Sequence, residues 1–250
     1  MKVLSLWRYP VKSMQGERLE QVDIGPNGMA RDRQRAVVDP ASGVSLSAKL
    51  YAVLLRCRAW TIDGQTMIGL PAGGEFPADS PDAAEALSEL LKRQVVIQTF
   101  HTGHNVRHEF PAQSRTGEGE PVIREPGLEG YFDRAPLHLI TTATLGEFSR
   151  LQPNSSFDPI RFRPNILVGT DETGFIENNW VRRNIHIGAV TCRVLDTKPR
   201  CVMTTRPQGN LSGDIEVMKT IVQSNGGCGG IELRALDSGI LRTGDTVAVS

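Results

Sequence analysis

The apolar residues of this chain come in short runs closed by Gly, Pro, Asn or Asp, and that punctuation confines it to a fold built mainly of strands. Residues 3–8, 19–24, 35–38, 55–62 and 66–70 read as strands, interrupted by Pro26-Asn27-Gly28, Asp39-Pro40-Ala41-Ser42-Gly43 and Asp63-Gly64. The Asp63-Gly64 pair predicts a tight hairpin, because both central positions of such a turn favour residues that tolerate positive φ. A helical period first emerges over residues 81–93, where Ala83, Ala86, Leu87, Leu90 and Leu91 share a face and Pro81 suits the first turn. Residues 95–100 then resume as a strand.

From His101 to about Pro136 the chain is rich in Gly, Pro, Arg and Glu without a sustained period, which predicts a long irregular connector and a boundary between two domains, 1–105 and 106–250. In the second half, residues 137–140, 166–168, 185–195, 230–236 and 245–249 read as strands and residues 143–151 as a short helix. Ile215, Met218, Ile221 and Val222 mark a further amphipathic helix, and Asp237-Ser238-Gly239 a turn. The expected class is therefore mainly β with a few helices, an α+β chain with a barrel or strongly bent sheet in each half.

Several function classes are disfavoured. Lys plus Arg balances Asp plus Glu, 28 against 28, so no global field favours nucleic acid or an acidic membrane. No apolar run approaches a bilayer span, and the N-terminus meets Arg8 and Tyr9-Pro10 too early for a secretory signal, so a cytoplasmic protein is expected. There is no GxGxxG fingerprint, no P-loop and no Gly-x-Ser-x-Gly elbow. His101, His104, His108, His138 and His186 lack a nearby acidic or sulfur partner at metal-ligand spacing, and the first three read as loop histidines.

The four cysteines, Cys57, Cys192, Cys201 and Cys228, include no close pair. Cys57 and Cys192 read as strand or packing residues and Cys228, among glycines, as part of a turn. Cys201 leaves a strand beside Lys198 and Arg200, where cations favour the thiolate, the soft metal ligand of proteins. On its residues alone it reads as an incidental cysteine before it reads as a ligand. The basic sets Lys12-Ser13, Arg31-Asp32-Arg33 and Arg161-Phe162-Arg163-Pro164-Asn165 suit phosphate binding. They are equally readable as solvated charges, paired charges or protection of a strand edge.

Taken in order, Tyr9-Pro10-Val11-Lys12-Ser13, Gly28-Met29-Ala30-Arg31-Asp32-Arg33, Arg161-Phe162-Arg163-Pro164-Asn165-Ile166 with Trp180, Pro199-Arg200-Cys201 and the ending from Gly239 to Val247 resemble MOSC proteins that carry the MOSC N-terminal β-barrel domain. Relatives of that kind are the C-terminal region of molybdenum cofactor sulfurases, the bacterial N-hydroxylated-base reductases and the mitochondrial amidoxime-reducing component. The resemblance implies an N-terminal barrel-like domain, a MOSC barrel domain and a molybdenum–molybdopterin cofactor ligated by the Cys201 thiolate. It assigns contacts with the cofactor to Lys12, Ser13, Arg33, Arg163 and Asn165, with Thr142 as a further hydroxyl and Arg200 beside the ligand.

The implied activity is a molybdenum oxidoreductase acting on a small N-hydroxylated substrate, with electrons from an external ferredoxin- or cytochrome-type system, since no plant-type iron–sulfur cysteine cluster occurs. The alternative is a carrier of sulfur or of molybdenum cofactor. Pyridoxal phosphate belongs to a separate domain of the sulfurase relatives, for which this chain has no room, and Lys12 is more economically a phosphate contact than a Schiff-base lysine. Lys198-Pro199-Arg200-Cys201 lacks the extra cysteine or asparagine of some reductases, and Met14-Gln15 replaces their small or cysteine plus basic pair.

Overall fold

The structure is a computed structural model that describes residues 1–112 and 119–250. Strands dominate and helices are few, as the punctuation predicts. The chain packs as two compact units that interleave in sequence: Met1–Arg8, Arg18–Ala30 and Ala135–Ser250 form one, Tyr9–Glu17 and Arg31–Arg134 the other. A single cut near residue 105 does not separate these packing units, because the N-terminal strands complete a sheet made mostly by the C-terminal half.

That sheet runs in the order Val247–Val249, Asn184–Ile187, Val190–Pro199, Cys228–Ala235, Leu137–Thr141, Ile166–Gly169, Lys2–Arg8, with Glu17–Leu19 at the edge. Its ends meet: Lys2 bridges Thr246, and Val247 N–H donates to the Met1 carbonyl at 3.0 Å. Joining the first strand to the last covers part of the edge that Val247–Val249 would otherwise offer to another chain. A bulge between Val3 and Ser5 shifts the alternation, so Val3 and Leu6, an odd and an even position, both reach the core.

Two helices flank this sheet over a smaller core of Ile140, Phe148, Phe157, Phe162 and Ile221. Thr142–Leu151 is capped by Thr141, whose hydroxyl accepts from Thr144 N–H at 3.1 Å, and Ile215–Asn225 by Asp214. Residues 185–195 form a hairpin, Asn184–Ile187 against Val190–Pro199, because Gly188 turns at φ 55°. The strand Gly239–Arg242 and the short helix Pro159–Phe162 have no counterpart in the periodicity reading.

The second unit holds a five-stranded sheet, in the order Val96–Thr99, Arg35–Val38, Val44–Ser45, Arg107–Phe110, Val122–Arg124, and a three-stranded meander, Arg58–Ile62, Gln65–Gly69, Glu75–Pro77. Asp63 and Gly64 take φ 48° and 82° and join Ile62 to Gln65, as the hairpin signal requires. The helix Pro81–Leu91 is capped by the Ser80 hydroxyl. Ala52–Arg56 is a 3-10 turn ending at Cys57, so the strand expected from residue 55 starts only at Arg58.

The expected irregular connector contains two strands, Arg107–Phe110 and Val122–Arg124. Arg107–Phe110 escapes a reading by period because its buried residues are the polar His108 and Glu109, and Val122–Arg124 because it has no buried position. His108 is fully buried, with Nδ1 2.6 Å from the Ser45 hydroxyl and Nε2 donating to the Phe132 carbonyl at 3.0 Å. Burial, reinforced by the nearby Lys12 ammonium, pushes its pKa down from 6.5 to about 3.

A histidine held neutral by folding stabilises fully above its unfolded pKa, and that contribution is lost as pH falls from about 6.5 toward 3. Unfolding free energy from urea titrations should fall by about 1.4 kcal/mol per pH unit on account of His108 across this window. His138, shifted the same way in the other unit, adds to the slope. His108→Gln should therefore flatten the slope by about one proton, and equal slopes for parent and variant between pH 6.5 and 4.5 would contradict a neutral His108.

Candidate functional site

The sequence-predicted residues fall into two sets, one in each unit. Cys201, Arg200, Arg163, Asn165 and Thr142 lie in the unit with the large sheet, and Lys12, Ser13 and Arg33 in the other.

Cys201 follows the strand Val190–Pro199 and caps the 3-10 turn Val202–Thr205. Its carbonyl accepts from the N–H and the hydroxyl of Thr204, at 3.0 and 2.9 Å, which fixes the backbone while the residue stays half-buried. Arg200 donates through its backbone N–H to the Gly227 carbonyl at 2.8 Å and through Nη2 to the Phe162 carbonyl at 2.7 Å. Its guanidinium also lies over the Phe162 ring, 5.5 Å from the centroid. Lys198, the other expected cation beside Cys201, pairs with Glu232 at 3.0 Å.

The Phe162 carbonyl links Arg200 to the next residue, Arg163. Arg163 ends the helix Pro159–Phe162 in the left-handed region, φ 53°, with its N–H donating to the Pro159 carbonyl at 3.0 Å. Asn165 clasps two strands: its side-chain oxygen accepts from His138 N–H at 3.1 Å and its amide donates to the Trp7 carbonyl at 3.2 Å. The strand Cys228–Ala235 passes close beside this group, since a Cβ on Gly230 would lie 2.4 Å from His138 Nε2 and 2.5 Å from the Leu139 carbonyl. Only glycine fits there, and its φ of 85° is likewise a glycine conformation.

Thr142 stands apart from Arg163 and Asn165. Asn165 adjoins His138 near the start of the strand Leu137–Thr141, whereas Thr142 follows its end, several residues at ~3.3 Å each away. The Thr142 hydroxyl donates to the Thr170 carbonyl at 3.2 Å and accepts from Thr170 N–H at 3.1 Å. The groove around it is lined by Met1, Lys2, Asp171 and Glu172 among others.

In the other unit, residues 9–12 pair with 33–35: Arg33 N–H donates to the Tyr9 carbonyl at 2.7 Å and Lys12 N–H to the Arg35 carbonyl at 2.8 Å. Lys12 is buried, donates to the Tyr131 carbonyl at 3.2 Å and pairs with Asp133, whose other oxygen takes Lys49 at 2.5 Å. Burial lowers the Lys12 pKa to about 8 against the opposing pull of Asp133. The Ser13 hydroxyl accepts from Ala48 N–H at 3.0 Å. Arg33 pairs with buried Asp32 and covers the Tyr9 ring at 4.7 Å. Ser13 and Arg33 adopt positive φ, 71° and 49°, as Arg163 does; such conformations persist where surrounding contacts over-determine them.

Sequence reasoning passed over Asp133 and Lys49 and weighed His138 only as a metal ligand. Asp133 meets Lys12 across 121 positions of sequence, beyond the reach of any local motif. His138 reads as one strand residue among others. In the structure it is buried, donates to the Gly229 carbonyl at 3.2 Å and is held neutral by burial and by the Arg200 and Lys198 charges. Among the described residues no group of three or more His, Cys, Asp or Glu is placed to hold a metal ion.

A family model described as the MOSC domain matches residues 88–248, and one described as the MOSC N-terminal beta barrel domain matches residues 1–107. The chain belongs to the MOSC family. A curated relative, mitochondrial amidoxime-reducing component 1 of Danio rerio, is 28% identical over 154 residues, 61% of this MOSC chain and 41% of the relative. The match thus spans about two fifths of that relative's length. Among solved structures, the YUAD protein from Bacillus subtilis aligns over 99% of this chain and 94% of its own at TM-score 0.50 and 11% identity, a likeness of fold. YiiM from Geobacillus stearothermophilus covers 46% of this chain and 54% of its own at TM-score 0.33 and 11% identity.

The cysteines of this MOSC chain divide by environment. Cys57 and Cys192 are fully buried, and burial pushes both thiols up to about 12. Cys201 and Cys228 are half-buried; Cys228 opens the strand Cys228–Ala235 opposite Pro199 rather than forming a turn, with the Thr197 hydroxyl 3.4 Å from its sulfur. Brief treatment of native protein with iodoacetamide should label Cys201 and Cys228 alone, with Cys57 and Cys192 reacting only in denaturant. Native labelling of either buried thiol, or its absence at Cys201, would contradict this division.

Proposed function

We propose that this MOSC chain binds a molybdenum–pterin cofactor with the Cys201 thiolate as protein ligand and reduces small N-hydroxylated compounds. The observation that carries the reading is the setting of Cys201: a half-buried thiol on a backbone fixed by Thr204, adjoining Arg200, whose contact with the Phe162 carbonyl leads to Arg163. The donor chemistry fits such a group, which needs one soft ligand and guanidinium forks for an anionic end. The buried thiols Cys57 and Cys192 do not meet that need. The name of the zebrafish relative, an amidoxime-reducing component, supports the substrate class.

When bound, the cofactor would supply a two-electron centre, so that an N-hydroxy group, two electrons and two protons give the reduced nitrogen compound and water. The chain's own residues bind and orient. Arg163 and Arg200 provide positive charge near Cys201, and neutral His138 holds the Gly229 strand against them. In the other unit Lys12, Ser13 and Arg33 are proposed as further contacts to anionic groups. Electrons would come from an external ferredoxin- or cytochrome-type donor.

Protein made in a cofactor-competent host should carry molybdenum near one per chain by plasma mass spectrometry and turn over benzamidoxime with a reduced dye. Cys201→Ser substitutes a hard, poorly ionised hydroxyl and should lose both properties, while Cys57, Cys192 and Cys228 changed singly to Ser should keep them. Absence of molybdenum from the parent would end the proposal; molybdenum or persulfide passed to an acceptor without turnover would favour a carrier.

Arg163→Ala should weaken cofactor retention by about 1.5–3 kcal/mol, the scale of a charge-assisted hydrogen bond, with the far-ultraviolet circular dichroism unchanged. Arg33 calls for a gentler substitution because its removal strands buried Asp32. Arg33→Lys keeps the charge and loses the fork, and should also lower retention. Full retention in both variants would remove the two arginines from the binding assignment.

A further inference from the structure

We infer that Arg161, a residue outside the assigned contacts, is the positioning residue for Cys201, setting the loop from which the thiol is presented. This inference rests on the reading of Cys201 as the ligand. Arg161 is only 2% exposed, and among the described residues its guanidinium donates to backbone carbonyls. Nε donates to Ser156 at 2.9 Å, Nη1 to Thr204 at 3.1 Å and Arg206 at 3.5 Å, and Nη2 to Ser212 at 2.8 Å. Asp214 and Asp158 act on it through space, and among the described residues it makes no direct ion pair.

The placement of those carbonyls gives the buried charge its purpose. Thr204, Arg206 and Ser212 all belong to the loop that begins at Cys201, and the loop folds on itself where Asp214 N–H donates to the Thr205 carbonyl at 2.9 Å. The path to the thiol is short. Arg161 holds the Thr204 carbonyl, and Thr204, fully buried, donates through its N–H and hydroxyl to the Cys201 carbonyl. Arg161 itself stands on the helix Pro159–Phe162, one residue before the carbonyl that takes Arg200 and two before Arg163. One guanidinium therefore ties the ligand loop to the helix end that carries the neighbouring cation.

Burying a guanidinium costs desolvation that an apolar residue of like volume avoids, so its contribution is geometric specificity rather than bulk stability. A site of this type must hold its groups within about 0.5 Å of their working positions, which isolated loop contacts do not secure. Lysine cannot substitute. Its ammonium is a point donor, whereas the planar fork reaches separate segments at once.

The test compares Arg161→Lys, Arg161→Gln and Thr204→Val, the last removing the hydroxyl bond to the Cys201 carbonyl while leaving the backbone contact to Arg161. Pseudo-first-order alkylation of Cys201 by iodoacetamide across pH is followed by peptide mass spectrometry, with Cys228 in the same sample as internal reference and urea midpoints recorded alongside. The expected result is a change of fivefold or more in the Cys201-to-Cys228 rate ratio in variants that remain folded, with molybdenum per chain lowered in parallel.

A ratio within twofold of the parent in every folded variant, or rates of both cysteines shifting together, overturns the inference. If neither Arg161 variant folds, Thr204→Val decides it by the same criterion. The alkylation arm needs no cofactor. Parent protein without molybdenum would therefore sink the functional proposal and the ligand role with it, while the alkylation ratio would still decide whether Arg161 sets the Cys201 loop.

Discussion

The large sheet depends on one pairing, that of the first strand with elements far along the chain. Lys2–Arg8 runs antiparallel to Ile166–Gly169, and Lys2 bridges Thr246 near the other end of the molecule's sequence. Contacts of such separation are entropically expensive to form, and each closes a loop of well over a hundred residues. Their consequence is a sheet whose first strand meets its last and a unit assembled from three separate stretches of chain. The same pairing brings Trp7 to Asn165, whose amide joins the first strand to His138, and so fixes the chain immediately after Arg163.

Around Cys201 the sheet and loops leave little to side-chain mobility. The cysteine carbonyl is held by Thr204, the preceding arginine by the Phe162 carbonyl, and the strand beyond by neutral His138. The cation nearest to Cys201 in sequence, Arg200, donates to the Phe162 carbonyl. Lys198, by contrast, faces Glu232. The two cations before Cys201 thus meet acceptors of different kinds, a carbonyl for Arg200 and a carboxylate for Lys198, a distinction that the basic tetrapeptide alone conceals.

Much of the architecture is legible in the sequence because strands and turns are written locally. Asp63-Gly64, Pro81 and the strand Arg35–Val38 all stand where composition and period put them. Elements whose buried positions are polar are not legible in this way. Arg107–Phe110 looks like loop because its inward residue, His108, is acceptable inside only with Ser45 and the Phe132 carbonyl as partners, and neither is a sequence neighbour. For the site, the cysteine and the basic clusters were visible as residue types, while the roles of Asp133, Lys49, His138 and Arg161 required the tertiary structure. Thr142 shows the converse. A hydroxyl at a strand-to-helix turn is plausible by sequence, yet its hydrogen bonds run to Thr170.

The buried charges of the two units solve different problems. In the second unit burial alone would raise the Asp133 pKa, but Lys12 and Lys49 outweigh it and hold the carboxyl well below its usual range, so the carboxylate remains charged and fixes both ammonium groups. Such an arrangement contributes little net stability, since desolvation consumes most of the Coulombic gain. What it secures is the position of cations that would otherwise sample many rotamers. Arg161 reaches the same end without a carboxylate, using carbonyl dipoles as acceptors and keeping its full charge inside the fold. A cation with an ion-pair partner offers a weaker field to an incoming anion than one anchored by neutral carbonyls. Arg200 next to Cys201 donates to a carbonyl and Lys12 to a carboxylate, so the two cations are fixed in place by acceptors of different kinds.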